Sequence, residues 1–402
     1  MRIAVAVLSV LLIVVVLWDA FETIVLPRRV TRRVRLTSAY FRATWRPWSW
    51  ACRRIRTNKR RELVLSVYGP LSLLALIVLW AVGLVAGFGV LQWAAGSPLN
   101  VAPEVADVGT YLYMSGTTFF TLGYGDVTPV NAGGRALAVL QAGLGFGVLA
   151  VVIGYLPTLY QAFSRREANI SLLDARAGTP PTAAELLRRH GRARQMESLN
   201  GLLEDWERWS ADLMESHLSY PVLCFFRSQH DNQSWLASLT TILDACALVM
   251  VGVGGAPAWQ AQLTFAMARH AVVDLSQVFN SEPHAWAESR LGGDALARLR
   301  AGLAADGVPL SDGPEADERL TQLRRMYEPY VASLAAHLAM PLPPWIHARD
   351  EVDNWQTSAW ERNPRAVART FESVCRECPD AAVGDAAARD PREPEFSLRI
   401  GD

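Results

Sequence analysis

The chain has 402 residues, 51% of them hydrophobic and 19% charged, with 39 Lys and Arg balancing 39 Asp and Glu. Zero net charge excludes a globally basic nucleic-acid binder and a highly charged chain without a core. The zero is a cancellation between segments, with −1 over residues 1–26, +12 over 27–62, −2 over 63–164 and −9 over 165–402. A basic block between two nearly uncharged apolar regions reads as a membrane protein.

The first apolar stretch, Ile3–Trp18, continues thinly through Asp19 and Glu22 to Leu26, so residues 1–26 are expected to form an N-terminal transmembrane helix. A cleaved signal peptide is the competing reading. No small-x-small cleavage site is present, and cleavage would leave a strongly basic segment outside. Residues 27–62 form a basic cytoplasmic loop by the positive-inside rule. Within it Tyr40, Phe41, Trp45, Trp48 and Trp50 alternate with Arg42, Arg46, Arg53 and Arg54. Rings and guanidinium groups together suit the headgroup layer, so an interfacial helix on anionic lipid is expected, kinked at Pro47. The alternative is a solvated basic loop.

Residues 63–163 hold two further spans, Leu63–Trp93 and Leu137–Phe163. The third is ~40 Å long as a helix, enough to cross ~30 Å of hydrocarbon. Between them Val108–Thr121 is too short to span and rich in Thr and Gly, which fits a re-entrant pore helix. Residues 97–134 contain no Lys or Arg, so that segment is expected outside, and Arg165 and Arg166 close the third span on the cytoplasmic side. The N-terminus is then outside and the C-terminal part cytoplasmic, in a multi-pass plasma-membrane protein.

Residues 115–129 read SGTTFFTLGYGDVTP. Thr121-Leu122-Gly123-Tyr124-Gly125-Asp126 resembles the selectivity filter of potassium channels, and the order of span, short helix, TLGYGD and span resembles their pore module. A dehydrated cation needs oxygen ligands in place of its water shell, which rings of backbone carbonyls supply. Aiming successive carbonyls one way requires alternating backbone handedness, which glycine takes freely, hence Gly123 and Gly125. The resemblance implies that carbonyls of Thr121, Leu122, Gly123 and Tyr124 hold K+. It implies that the Thr121 hydroxyl closes the innermost site, that Leu122 and Tyr124 pack behind the filter, and that Asp126 draws cations to the mouth. Permeant K+ is the ligand, and no other cofactor is expected. One filter per chain implies a homotetramer. Some family members carry a Glu where Thr117 stands here, so a mechanism needing that carboxylate is not expected. The third span contains Gly143, Gly145, Gly147, Gly154 and Pro157. Gly145 is read as a gating hinge or a close packing site, and Pro157 as a kink near an inner gate.

Residues 164–181 read as a linker ending in Pro180-Pro181, followed by an all-α cytoplasmic domain over 182–378 and a disordered tail over 379–402. Helices are expected at Thr182–Ser216, capped by Thr182 with Glu185 three residues on, and at Trp235–Val251, Trp259–Phe279, Ala285–Ala304 and Glu315–Leu338. Trp235–Gly255 is apolar enough to mimic a fourth span, but a central Asp244 costs roughly 2.5–3.5 kcal/mol in a membrane, so it reads as a buried core helix. The polar run Ser228–Ser234, with His217 or Asp244, is a candidate ligand site, against the plainer reading of a helix connection. The domain's −9 set beside the +12 loop predicts electrostatic contact through Arg53, Arg54 and Arg56.

Gly252-Val253-Gly254-Gly255 follows a helix and lacks the GxGxxG pattern, so no nucleotide-binding Rossmann domain is expected. No span carries Arg at every third position, so there is no voltage sensor. Cys375 and Cys378 form a lone CxxC without a second ligand pair. No catalytic triad, paired carboxylates or Walker motif stands out, so the chain is not expected to be an enzyme. The expected fold is an all-α membrane protein with one peripheral and two pore-forming transmembrane helices, a re-entrant pore helix and a helical cytoplasmic domain. The expected function is potassium-selective passive transport, gated or assembled by that domain. The alternatives are a membrane-anchored sensor or scaffold with a vestigial pore, and a potassium uptake transporter subunit.

Overall fold

The structure, a computed structural model, describes residues 1–26, 35–230, 232–284, 290–347, 353–356 and 363–376. Among them it is all-α, with two isolated β-bridges and no strand. The helices are α1 (Arg2–Ile24), α2 (Leu36–Arg53), α3 (Asn58–Ala94), α4 (Val108–Phe119), α5 (Ala132–Ala177), α6 (Ala183–Arg192), α7 (Ser198–Ser219), α8 (Trp235–Gly252), α9 (Ala258–Val278), α10 (Gly293–Ala305), α11 (Pro314–Arg325), α12 (Glu328–Leu338) and α13 (Pro364–Arg376). A 3-10 turn, Pro221–Phe225, joins α7 to the segment before α8.

Among the described residues four helices are long and apolar enough to cross a membrane: α1, α3, α5 and α8. The apolar window of α8 is 89% buried within the fold, against 22% for α1, 39% for α3 and 11% for α5. The helix α8 is therefore the core of the helical domain, apolar on all sides because it is packed on all sides.

The helix α1 lies along α3. A Cβ at Gly87 would come within 2.6 Å of Ile13 and one at Gly83 within 3.0 Å of Val16, so small residues permit this approach. The two acids that thin out α1 have work at its end. Asp19 is buried and accepts from Thr37 N (3.1 Å), Thr37 Oγ1 (2.6 Å) and Trp80 Nε1 (3.0 Å). Glu22 accepts from Trp18 Nε1 at 2.7 Å and pairs with Arg35 at 3.5 Å. A carboxylate at the first turn of α2 also meets the positive end of that helix.

Several expected boundaries are corrected. The linker over 164–181 is helical to Ala177, because Ile170, Leu173 and Ala177 are buried in the domain core, and Gly178 (φ +79) ends the helix. The single helix expected over Thr182–Ser216 is two, α6 and α7, since Arg194 adopts a left-handed backbone (φ +53) between them. Thr182 caps α6 as expected, accepting from Glu185 N at 3.2 Å. The Glu185 side chain turns instead to Arg189 (2.8 Å) and Arg188 (3.3 Å). Glu315–Leu338 is likewise two helices, because Pro329 lacks the N–H that would continue α11. Residues 27–34, 285–289, the tail from Pro379 and the thiols of Cys375 and Cys378 lie outside what is described, and the helix expected from Ala285 begins, among the described residues, at Gly293.

The helix α2 sits between the spans and the domain, with Pro47 on its exposed side and the helix unbroken. Its buried side carries Trp45, whose ring lies 4.7 Å from Tyr68 and 4.9 Å from Phe225, and whose Nε1 donates to His337 O at 2.8 Å. Its other side exposes Arg42, Arg46, Trp50, Arg53 and Arg54, with the Arg54 guanidinium 3.5 Å from the Trp50 ring centre. The expected ion pairing of Arg53, Arg54 and Arg56 with the domain is corrected: among the described residues they make none. An ion pair across this boundary runs the other way, Arg227 of the domain to Glu62 at 3.5 Å. Stripping water from exposed cations costs more than an ion pair returns, whereas burying indole and phenyl rings is favourable.

Candidate functional site

The pore-like element is built from α4 and the loop that follows. Asp107 caps α4 by accepting from Thr110 N at 2.9 Å. Tyr111 Oη donates to Ser97 O at 2.5 Å. Ser115 Oγ donates to Val85 O of α3 at 2.7 Å, and Gln141 of α5 donates to Ser115 O at 2.9 Å and Ser115 Oγ at 2.6 Å. One buried serine thus ties the short helix to both long ones. After α4 the chain doubles back, with Thr117 O accepting from Leu122 N at 2.8 Å and Gly123 N at 3.4 Å.

Backbone handedness then alternates. Thr121, Gly123 and Gly125 have φ of +57°, +59° and +77°. A left-handed residue at every second position is the arrangement that lets successive carbonyls face one way. Glycine removes the steric penalty at two of the three, and Thr121 bears it. A Cβ at Gly123 or Gly125 would meet nothing within 4 Å. Leu122 and Tyr124 are exposed by 54% and 69%, so among the described residues of one chain they are largely uncovered. Asp126 accepts from Tyr113 Oη at 2.8 Å, which fastens the C-terminal end of the loop to α4. Thr117 Oγ1 donates to Met114 O at 3.0 Å, so no carboxylate braces the loop at that position.

On α5 the glycines divide. Gly143, Gly147 and Gly154 face open space, whereas Gly145 is buried, and a Cβ there would stand 2.2 Å from Phe119 O at the end of α4. That geometry gives Gly145 a close-approach role. A glycine needed only for flexibility would be replaced by alanine with a gain of up to ~1 kcal/mol of helix stability. The clash with a fixed carbonyl predicts a loss of ~1–3 kcal/mol for Gly145→Ala instead, read as lowered thermal stability in detergent. Pro157 lies on the exposed side of the same unbroken helix. Val139, Phe146, Ile153 and Tyr160, seven residues apart and each 63–74% exposed, form an apolar stripe along α5.

The proposed ligand group is not gathered into one place. Ser234 caps α8, accepting from Ala237 N at 3.0 Å. Asp244 accepts from Arg290 at 2.6 and 3.1 Å and from Tyr327 Oη. His217 faces Arg166 instead, with Nε2 at 3.1 Å from Nη1. Among the described residues no group of three or more His, Cys, Asp or Glu could hold a metal.

Because guanidinium N–H groups only donate, His217 Nε2 accepts and the ring is neutral. Burial, then the neighbouring Arg166 charge, holds its pKa well below the usual histidine range. Ser216 Oγ lies 3.1 Å from its Nδ1 and the Trp235 ring 5.5 Å from its own, while Glu167 pairs with Arg166 at 2.8 Å. The unfolded chain takes a proton near pH 6.5 that the folded ring refuses, so this site stabilises above pH ~6.5 and progressively less below, by ~1.4 kcal/mol per pH unit. Asp244 works in the opposite sense, since burial pushes it up to about 6. Melting curves of the native chain and His217→Gln between pH 7.5 and 5 should therefore converge as pH falls.

Residues 74–162 match the family model described as "Ion channel". The chain is 22% identical over 209 residues to the "Uncharacterized membrane protein YdjJ" of Bacillus subtilis (strain 168), covering 51% of this chain and 60% of that one. It is 50% identical over 60 residues to "Protein LctB" of Geobacillus stearothermophilus, covering 15% of this chain and 40% of that one. The chain thus spans well under the full length of both curated relatives. No solved structure matches it. The molecule is a membrane protein carrying a domain similar to ion channels, which points to transport rather than catalysis.

Proposed function

We propose that the chain is a potassium-selective channel of the plasma membrane, with its N-terminus outside, its helical domain in the cytoplasm and potassium as the transported ion. The observation that carries this reading is the left-handed backbone at Thr121, Gly123 and Gly125 within TLGYGD, between two apolar helices. The loop follows the C-terminal end of α4, where the helix dipole favours a cation. Four copies around one axis would cover the exposed Leu122, Tyr124 and the α5 stripe, which supports a homotetramer. The exposed Arg42, Arg46, Arg53 and Arg54 of α2 suit anionic headgroups at the inner leaflet. Planar bilayer recording of the purified chain tests the reading. A reversal potential that follows the potassium gradient supports it, and equal sodium and potassium permeability, or silence, overturns it.

A further inference from the structure

Between its membrane-spanning part and the turns buried in the domain core (Ile170, Leu173, Ala177), α5 carries one buried cation that the helical domain holds. Arg166 is 3% exposed although it lies three residues past the third apolar stretch. Its Nη1 donates to Leu223 O at 3.0 Å and to His217 Nε2 at 3.1 Å, and its Nη2 donates to Phe226 O at 2.9 Å. The Glu167 carboxylate lies 2.8 Å from Nη2, and Trp209 Nε1 donates to the Arg166 carbonyl at 3.2 Å. Three of the four guanidinium acceptors belong to the domain.

The segment that supplies two of them touches the other span as well. A Cβ at Gly69 of α3 would lie 2.7 Å from the Phe226 ring, so that ring sits where only a glycine leaves room. Val222, Leu223 and Phe226 share one buried cluster with Leu73 of α3 and with Leu159 and Phe163 of α5. Residues 221–226 therefore form a wedge between the inner ends of the two spans, with Arg166 as its fastening.

We propose that Arg166 is the positioning residue through which the helical domain sets the inner end of α5 and hence the opening of the pore. The proposal rests on the channel reading. A guanidinium remains charged at any physiological pH, and leaving it buried without its acceptors is costly. The end of α5 cannot slide along the wedge by degrees: it stays with all its acceptors or leaves them together. Such a joint passes domain movement to the helix as a two-state displacement.

Single-channel recording of the full chain with Arg166→Lys, which keeps the charge and loses the fork, tests it. Open probability is expected to shift tenfold or more, with unitary conductance and potassium selectivity unchanged. His217→Leu should shift it in the same direction, and His217→Gln, which retains a side-chain acceptor, should shift it less. Hydrogen exchange of the 222–226 amides should quicken in Arg166→Lys. If Arg166→Lys does not fold, the His217 pair carries the test. Normal current with open probability within twofold of the native chain in Arg166→Lys and His217→Leu overturns the coupling alone. A native chain that passes no current overturns the channel reading and the coupling with it.

Discussion

Gly123→Asp is expected to abolish potassium current while the protein still folds and assembles. Gly123 holds φ +59° in the middle of an alternating left-handed run, between Thr121 and Gly125. A side chain there costs roughly 1–2 kcal/mol of backbone strain in each chain, or roughly 4–8 kcal/mol in the proposed tetramer. The space around a Cβ is empty, so the loss does not come from a packing clash. It comes from the carbonyl column, which a β-region residue would turn aside, and from a carboxylate placed beside the ion path. Gly123→Ala separates the two causes. It carries the strain without the charge, and is expected to reduce current steeply and weaken selectivity. Bilayer recording and size-exclusion profiles in detergent check both variants. Undiminished selective current in Gly123→Ala would remove the argument from backbone handedness.

Asp244→Asn is expected to destabilise the helical domain by about 3–5 kcal/mol, the usual cost of breaking a buried ion pair by removing one partner. Asp244 is fully buried in α8 and takes two hydrogen bonds from Arg290, at 2.6 and 3.1 Å, and one from Tyr327. Arg290 also pairs with Glu328 (3.0 Å), which Arg324 holds at 3.1 Å, and donates to Pro343 O at 3.0 Å. The network joins α8, α11, α12 and the chain before α10. An asparagine presents one acceptor and turns two donors toward a guanidinium that is itself all donors. The melting temperature in detergent should fall by many degrees. Asp244→Leu combined with Arg290→Met should recover part of the loss, because removing both charges leaves neither stranded. Equal stability of Asp244→Asn and the native chain would mean that the pair stabilises nothing.

The site was legible where chemistry requires particular residues in a particular order. TLGYGD after a Thr-rich stretch announces a loop with repeated left-handed backbone, because glycine at alternate positions has few other uses. Pairings across the fold were not legible. Gln141 and Asp19 stand out as polar residues in apolar stretches, and that was the available signal for the Ser115 and Trp80 contacts. Nothing near Arg166 in the sequence marks it as different from Arg165, since apart from the adjacent Glu167 its acceptors are a histidine and two carbonyls more than fifty positions away. Gly145 has two readings in the sequence, hinge and packing site, and the close approach becomes visible only with the neighbouring Phe119 carbonyl.

Segment length, apolar content and glycine spacing are local properties, so the membrane-embedded α-helical architecture, the short helix and the glycine-bearing loop are readable from the order of residues alone. Tertiary structure decided how the charges are used. The opening balance of 39 against 39 suggested that the basic loop and the acidic domain attract each other. Their boundary is instead aromatic, built on Trp45, Tyr68 and Phe225, and the exposed arginines of α2 stay out of it. Charge composition cannot foretell this, since desolvation decides which charges are buried, and desolvation depends on which groups the fold brings within hydrogen-bonding distance. Arg166 and Arg290 go inside because the fold supplies their acceptors. Arg53, Arg54 and Arg56 remain outside, where water or headgroups cost them nothing.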